Sequence, residues 1–192
     1  MKVLNTRRTG LIAFFTSLTA ILAQITIYLP FTPIPITLQT LAVILSGIIG
    51  GALVSFLSQV IYIVLIMLGL PLAAGFKGGL VVLLGPTAGF LYGFPIASTL
   101  SGLIGFRGKS RFRLFLASML GVFAVYPTGL LWLSLMYGVR DELAIIGLLP
   151  FIPGDIVKAI IASEIAYRVK KLNLLSENTE PPKPKYFSRS SS

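Results

Sequence analysis

The chain has 192 residues, of which 55% are hydrophobic and only 11% charged; its net charge is +10, and it has no cysteine and no histidine. A soluble domain carries about a quarter charged residues, so a mean hydropathy of +0.91 excludes a soluble protein and points to the integral membrane class. Lack of Cys and His removes disulfides, thiolate and imidazole chemistry and most zinc or copper sites, and nothing in the sequence calls for a cofactor.

The positive charge is not spread as nucleic-acid binding would need. It gathers in short segments between apolar runs, the pattern that orients membrane helices. A β-barrel would alternate polar and apolar residues, whereas runs such as 38–49 and 60–68 are apolar on every side. The expected fold class is therefore all-α, a polytopic membrane protein.

Lys2, Arg7 and Arg8 precede the first span, 11–29. This run exceeds the apolar core of a signal peptide and lacks a clear cleavage site, so it reads as retained. Ala13 and Ser17, with Thr16 and Ala20, set small residues four apart, a face that lets a neighbouring helix approach; packing within the bundle is the alternative. Residues 30–37 alternate proline with other residues and cannot be helical. Lipid cannot satisfy such backbone, so this stretch must pack on protein or line a cavity.

Residues 38–68 are too long for one span, and the GIIGG sequence at 47–51 breaks them into 38–49 and 52–69. A second Gly/Pro-rich connection follows and carries the isolated Lys77. Pro86 opens the fourth span, 86–105. The next loop, with Arg107, Lys109, Arg111 and Arg113, resembles a phosphate-binding loop but has five residues between Gly102 and Gly108 where four are required. It reads as a cytoplasmic basic loop. The fifth span, 114–137, holds Tyr-Pro-Thr-Gly at 126–129, and a third irregular connection, containing Arg140, Asp141 and Glu142, leads to residues 149–158, LPFIPGDIVK.

Asp155 is expected to cap the sixth span, 155–170, with Lys158 at i+3 on the same face. An acid and an amine at the mouth of a membrane helix are costly and therefore a functional candidate. Glu164 and Arg168, four apart, should pair near the other end. Residues 1–172 then form one six-helix domain, and 173–192 read as a disordered cytoplasmic tail.

Basic clusters at 2–8, 107–113 and 168–185 should all be cytoplasmic. That requires an even number of crossings between successive clusters, met by four and then two, so both termini lie inside. The irregular connections 30–37, 69–86 and 138–155 consequently gather on the outer side with Lys77, Asp155 and Lys158. Apolar walls with a few polar anchors make a pocket for a small solute.

Three stretches together, TPIPITLQTLA at 32–42, GPTAGFLYGF at 85–94 and LPFIPGDIVK at 149–158, resemble the BioY family. These are the biotin-specific substrate-binding subunits (S components) of energy-coupling factor transporters, which are ABC-type systems. The resemblance spans residues 11–170 and implies biotin capture at the cell membrane of a prokaryote. It implies as partners a transmembrane coupling protein and two cytoplasmic ATPases, and no nucleic acid. The family's coupling contact maps onto Ala13 and Ser17, with Thr16 and Ala20 beside them; Ser17 stands where alanine is expected. Its biotin contacts map onto Asp155 and Lys158.

Lys77 is the next ligand candidate, as partner of a carboxylate, unless it snorkels to the surface. Gln39 and Thr37 could serve a ureido group or cap their own helix, and Thr87 and Tyr92 complete the set. Phe76, Phe90 and Trp132 are candidate walls. Another vitamin, or biotin transport without the energising module, stays open as an alternative. An enzyme would need a nucleophile with its base or a carboxylate cluster for metal, and no such set is present; ATP hydrolysis would belong to the partners.

Overall fold

A computed structural model describes residues 6–138 and 149–179, with side chains described through residue 172. Within them lie seven helices and one short two-stranded ladder. The helices are α1 (Thr6–Ala23), α2 (Gln39–Gly50), α3 (Ala52–Met67), α4 (Leu80–Leu83), α5 (Ala88–Gly105), α6 (Arg111–Tyr137) and α7 (Ile152–Thr179). The expected order of apolar elements is reproduced. α5 and α6 are long and apolar enough to cross a membrane, and α2 and α3 are shorter apolar helices. Arg140, Asp141, Glu142, Lys2 and residues 180–192 lie outside the described residues.

α5 starts at Ala88 and not at Pro86, and α6 starts at Arg111, inside the stretch read as a loop, with Ser110 as its cap; three further boundaries also differ from expectation. α1 ends at Ala23 because Thr26–Ile27 (β1) pairs antiparallel with Ile36–Thr37 (β2). This ladder satisfies part of the backbone flanking the proline stretch, whose prolines cannot donate. α7 begins at Ile152, so Pro153 and Gly154 lie inside its first turn. Proline is tolerated there, where N–H groups have no helical partner. Asp155 is thus not the cap: its N–H already donates to the Phe151 carbonyl, 2.8 Å. At the far end α7 continues to Thr179, into the stretch read as tail.

The core is built by close approach of backbones. α5 carries small residues at every fourth position, Gly89, Gly93, Ala97, Ser101 and Gly105, and α6 answers with Ala117, Gly121 and Gly129. A Cβ on Gly93 would stand 2.3 Å from the Thr128 hydroxyl, and one on Gly129 2.4 Å from the Phe90 ring. α2 crosses α5 the same way, with Gly47 set against the Ser98 carbonyl. Every residue of α2 from Leu41 to Ile48 is buried. α1 lies on α2 and α3, and α7 lies on α6 and α2.

Polar side chains inside the bundle are all partnered: no buried side-chain nitrogen or oxygen among the described residues lacks a hydrogen bond. Thr16 and Thr19 of α1 meet Ser58 and Gln59 of α3, and Gln59 also reaches Ser46 of α2. At the basic end Ser110 caps α6, and Glu164 pairs with Arg168 at 2.8 Å, as expected, and also with Arg111 at 3.3 Å. The Lys170 ammonium donates to the carbonyls of Gly105, Phe106 and Gly108 at the C-terminus of α5.

Backbone contact at the α2–α5 crossing leads to a direct test. Gly47→Ala places a methyl group 2.2 Å from a backbone oxygen, an overpacking that costs about 1–3 kcal/mol. Its thermal midpoint in detergent should fall by several degrees, while Gly10→Ala, with nothing within 4 Å of the new atom and alanine the better helix former, should not lower it.

Candidate ligand-binding site

Two adjoining cavities lie beside the segments 28–37 and 69–87, and the inner one reaches the starts of α2 and α7. The inner one, open at one side, is lined by α2, α5, α6, α7 and the segment 69–79. Phe90, Leu91 and Phe94 of α5, with Ile34 and Phe151, make its apolar walls. Its polar wall is a four-residue cluster that joins three helices.

Asp155 and Lys158 lie on one turn of α7, each 6% exposed, with the ammonium 2.7 Å from Oδ1 of the carboxylate. Thr40 of α2 accepts from Lys158 Nζ at 3.2 Å and faces Asp155 Oδ1 at 3.4 Å. Tyr126 of α6 donates its hydroxyl to Asp155 Oδ2. A buried ion pair survives only where hydrogen bonds complete its desolvated shell, and Thr40 and Tyr126 supply them. Among the described residues two of the three ammonium protons are thereby engaged, which leaves the third, and spare carboxylate lone pairs, for a ligand.

Neither Thr40 nor Tyr126 is among the residues expected at the site. Each is a single polar residue on an apolar helix, but a signal exists for both. Thr40 lies in the polar first turn of α2, beside Gln39. Tyr126 directly precedes Pro127, where the helix loses a hydrogen bond.

Of the expected residues, Thr37, Gln39, Thr87, Asp155 and Lys158 all line the inner cavity. Gln39 is buried and turned partly away from it: its amide donates to the Tyr62 hydroxyl at 2.6 Å and its Oε1 accepts from Thr37. The Thr37 hydroxyl also accepts from the Gln39 N–H, so it caps α2 as well as facing the cavity. Lys77 is not beside the ion pair. It lines the second cavity, 5.9 Å above the Tyr28 ring, and the two cavities share Pro35, Ala73, Ala74 and Thr87 as walls.

Tyr92 lines neither cavity, because its hydroxyl is spent on the Leu83 carbonyl at 2.6 Å. Of the three expected aromatic walls only Phe90 serves. Phe76 is 71% exposed on its turn, and the Trp132 indole donates to the Gly85 carbonyl while packing edge-on to Tyr92. On α1, Ala13 and Ser17 are exposed and Ala20 is half-buried. Thr16, expected on that face, points inward and donates to the Ser58 carbonyl at 2.9 Å.

The family model described as "BioY family" matches residues 1–174. A probable biotin transporter BioY from Pyrococcus horikoshii is 42% identical over 167 residues, covering 87% of this chain and 98% of the relative. A biotin transporter BioY from Thermotoga maritima is 37% identical, covering 83% and 94%. Among solved structures, the S-component for biotin from an ECF-type ABC transporter superposes with a TM-score of 0.78 at 30% identity, covering 86% of this chain and 91% of that one. FolT bound with folic acid shares the fold alone, with a TM-score of 0.55 at 21% identity. With a family model spanning nearly the whole described chain and relatives this similar along almost their full length, the chain belongs to the BioY family.

Proposed function

We propose that this protein captures biotin from outside a prokaryotic cell and serves as the substrate-binding S component of an energy-coupling factor transporter. The observation that carries the reading is the Asp155–Lys158 pair, bonded to Tyr126 and Thr40 at the wall of an otherwise apolar cavity. Biotin's ureido group has two N–H donors and one carbonyl. The Asp155 carboxylate accepts from the donors, and the remaining Lys158 proton serves the carbonyl. Phe90, Leu91 and Phe94 take the thioether ring. The valerate then extends past Ala73 and Ala74 into the second cavity, where Lys77, the only lysine or arginine among the described lining residues, attracts the carboxylate. Thr37, Gln39 and Thr87 complete the polar lining.

The chain crosses the membrane six times in this reading, with both termini and the 173–192 tail in the cytoplasm. α2 tests the idea, since 12 residues rise only about 18 Å against a hydrocarbon core of about 30 Å. Burial of α2 from Leu41 to Ile48 inside the bundle, with Thr32 and Ile34 of the stretch before it also buried, supports this reading, because non-helical backbone is tolerated where it packs on protein. A transmembrane coupling protein then docks on the exposed Ala13 and Ser17 of α1, with Ala20 at the edge, while two cytoplasmic ATPases supply the energy. Thr16 has no part in that contact.

Removing one partner of a desolvated, hydrogen-bonded charge pair costs about 2–5 kcal/mol of affinity. Asp155→Asn and Lys158→Ala should each weaken equilibrium binding of labelled biotin in detergent at least tenfold; near-native affinity in both would take the pair out of the site. Ala13→Trp should abolish biotin uptake in cells expressing the coupling module yet leave binding by the purified chain intact. Because the chain lacks cysteine, topology can be read from single substitutions. Lys77→Cys should react with a membrane-impermeant maleimide in intact cells and Lys109→Cys should not; the reverse pattern would remove the cavity from the outer face.

A further inference from the structure

The segment 69–79 closes one side of the inner cavity with Ala73 and Ala74, and its backbone is held by two side chains that line neither cavity. Gln24, just past the end of α1, donates its amide to the Leu72 and Ala73 carbonyls at 3.3 and 3.2 Å, and its Oε1 accepts from the Phe76 N–H at 2.9 Å. Tyr62, wholly buried on α3, donates to the same Leu72 carbonyl at 2.9 Å and accepts from Gln39. Residue by residue, the hydrogen bonds run from Thr37 to Gln39 to Tyr62 to the Leu72 carbonyl, all donating in one direction. Aligned bonds of this kind polarise one another. The first two members face the cavity, and the last is the backbone of the strap that covers it.

The strap itself is tight. Ala73 and Lys77 pair across it, Gly75 and Phe76 adopt positive φ of 71° and 56°, and the Gly79 N–H returns to the Ile66 carbonyl at 2.7 Å. A Cβ on Gly75 would stand 2.3 Å from the Tyr28 hydroxyl. A turn this constrained moves as a unit, so two carbonyls and one N–H gripped by Gln24 and Tyr62 set its position.

We propose that Gln24 and Tyr62 are positioning residues that latch the 69–79 strap over the cavity, and that they govern how long a ligand stays rather than how fast it enters. The inference rests on the cavity being the biotin site. Gln24 ties the strap to α1, and Tyr62 ties it to Gln39 at the cavity wall, so ligand contact with Gln39 and closure of the strap reinforce each other. Loss of either side chain frees the strap without removing any group from the cavity lining.

The test uses the full chain with a nitroxide attached through Phe76→Cys at the exposed tip of the strap. Into this parent go Gln24→Met, which keeps volume and deletes every bond, and separately Tyr62→Phe, which keeps the ring. Without ligand, the label should be more mobile in Gln24→Met than in the parent; equal mobility overturns the latch. With labelled biotin, both variants should dissociate at least fivefold faster while association changes less than twofold. Unchanged dissociation, or a loss carried by association alone, overturns the role in retention. Gly47→Ala, destabilised far from the strap, should show parental dissociation; if it speeds release as much, general loosening explains the result and the proposal fails. A parent that binds no biotin would sink the functional reading, while label mobility still decides the latch.

Discussion

An ion pair inside an apolar bundle is the constraint from which the rest of this structure follows. Asp155 and Lys158 are almost wholly removed from solvent, where an uncompensated charge would cost several kcal/mol. Compensation has to come from other helices, and it does: Thr40 from α2 and Tyr126 from α6. Three helix axes must therefore pass close together at one level. Where they meet, the remaining walls are mostly apolar, the setting in which a small ligand is oriented by a few directed bonds.

Convergence of that kind needs thin helices, and the glycine and alanine ridges of α5 and α6 provide them. Lipid chains are as apolar as leucine, so helices in a membrane gain little from simple hydrophobic burial and associate through close packing and shared hydrogen bonds. Gly93 against α6, Gly129 against Phe90 and Gly47 against the Ser98 carbonyl are contacts so close that a Cβ would force its neighbours to shift. The polar seam of Thr16, Thr19, Ser46, Ser58 and Gln59 does the equivalent for α1, α2 and α3. One face of α1 is consumed by this seam, which leaves its opposite face, with Ala13 and Ser17, uncovered.

Much of this was legible in the residues. Apolar runs and glycine breaks place the helices in order, and the isolated acid–amine pair marks the cavity because such residues have no other reason to sit in an apolar chain. Boundaries were harder where two local rules compete. Pro153 reads as a stop, yet in a first turn it costs nothing, so α7 starts before Asp155 and the carboxylate is free for Tyr126 instead of capping backbone. Residues 24–29 are apolar enough for a helix, but Thr26 and Ile27 pair instead with 36–37. Thr16 and Tyr92 illustrate a different difficulty. A lone hydroxyl on an apolar helix carries no sign of its direction, and both are spent on backbone carbonyls. Thr40 and Tyr126 carry only local signals of their own, a polar first turn and a following proline, and acquire a role when Asp155 is placed between them.

At the basic end of the molecule Lys170 has a role out of proportion to its place near the end of the sequence. Its ammonium occupies the carbonyl array with which α5 terminates, so α7 supplies the cap that α5 lacks in its own sequence. Arg111 and Glu164 fasten α6 to α7 alongside. The three helices are thereby riveted at the foot, and whatever freedom the bundle needs for admitting a solute must be found at the opposite end.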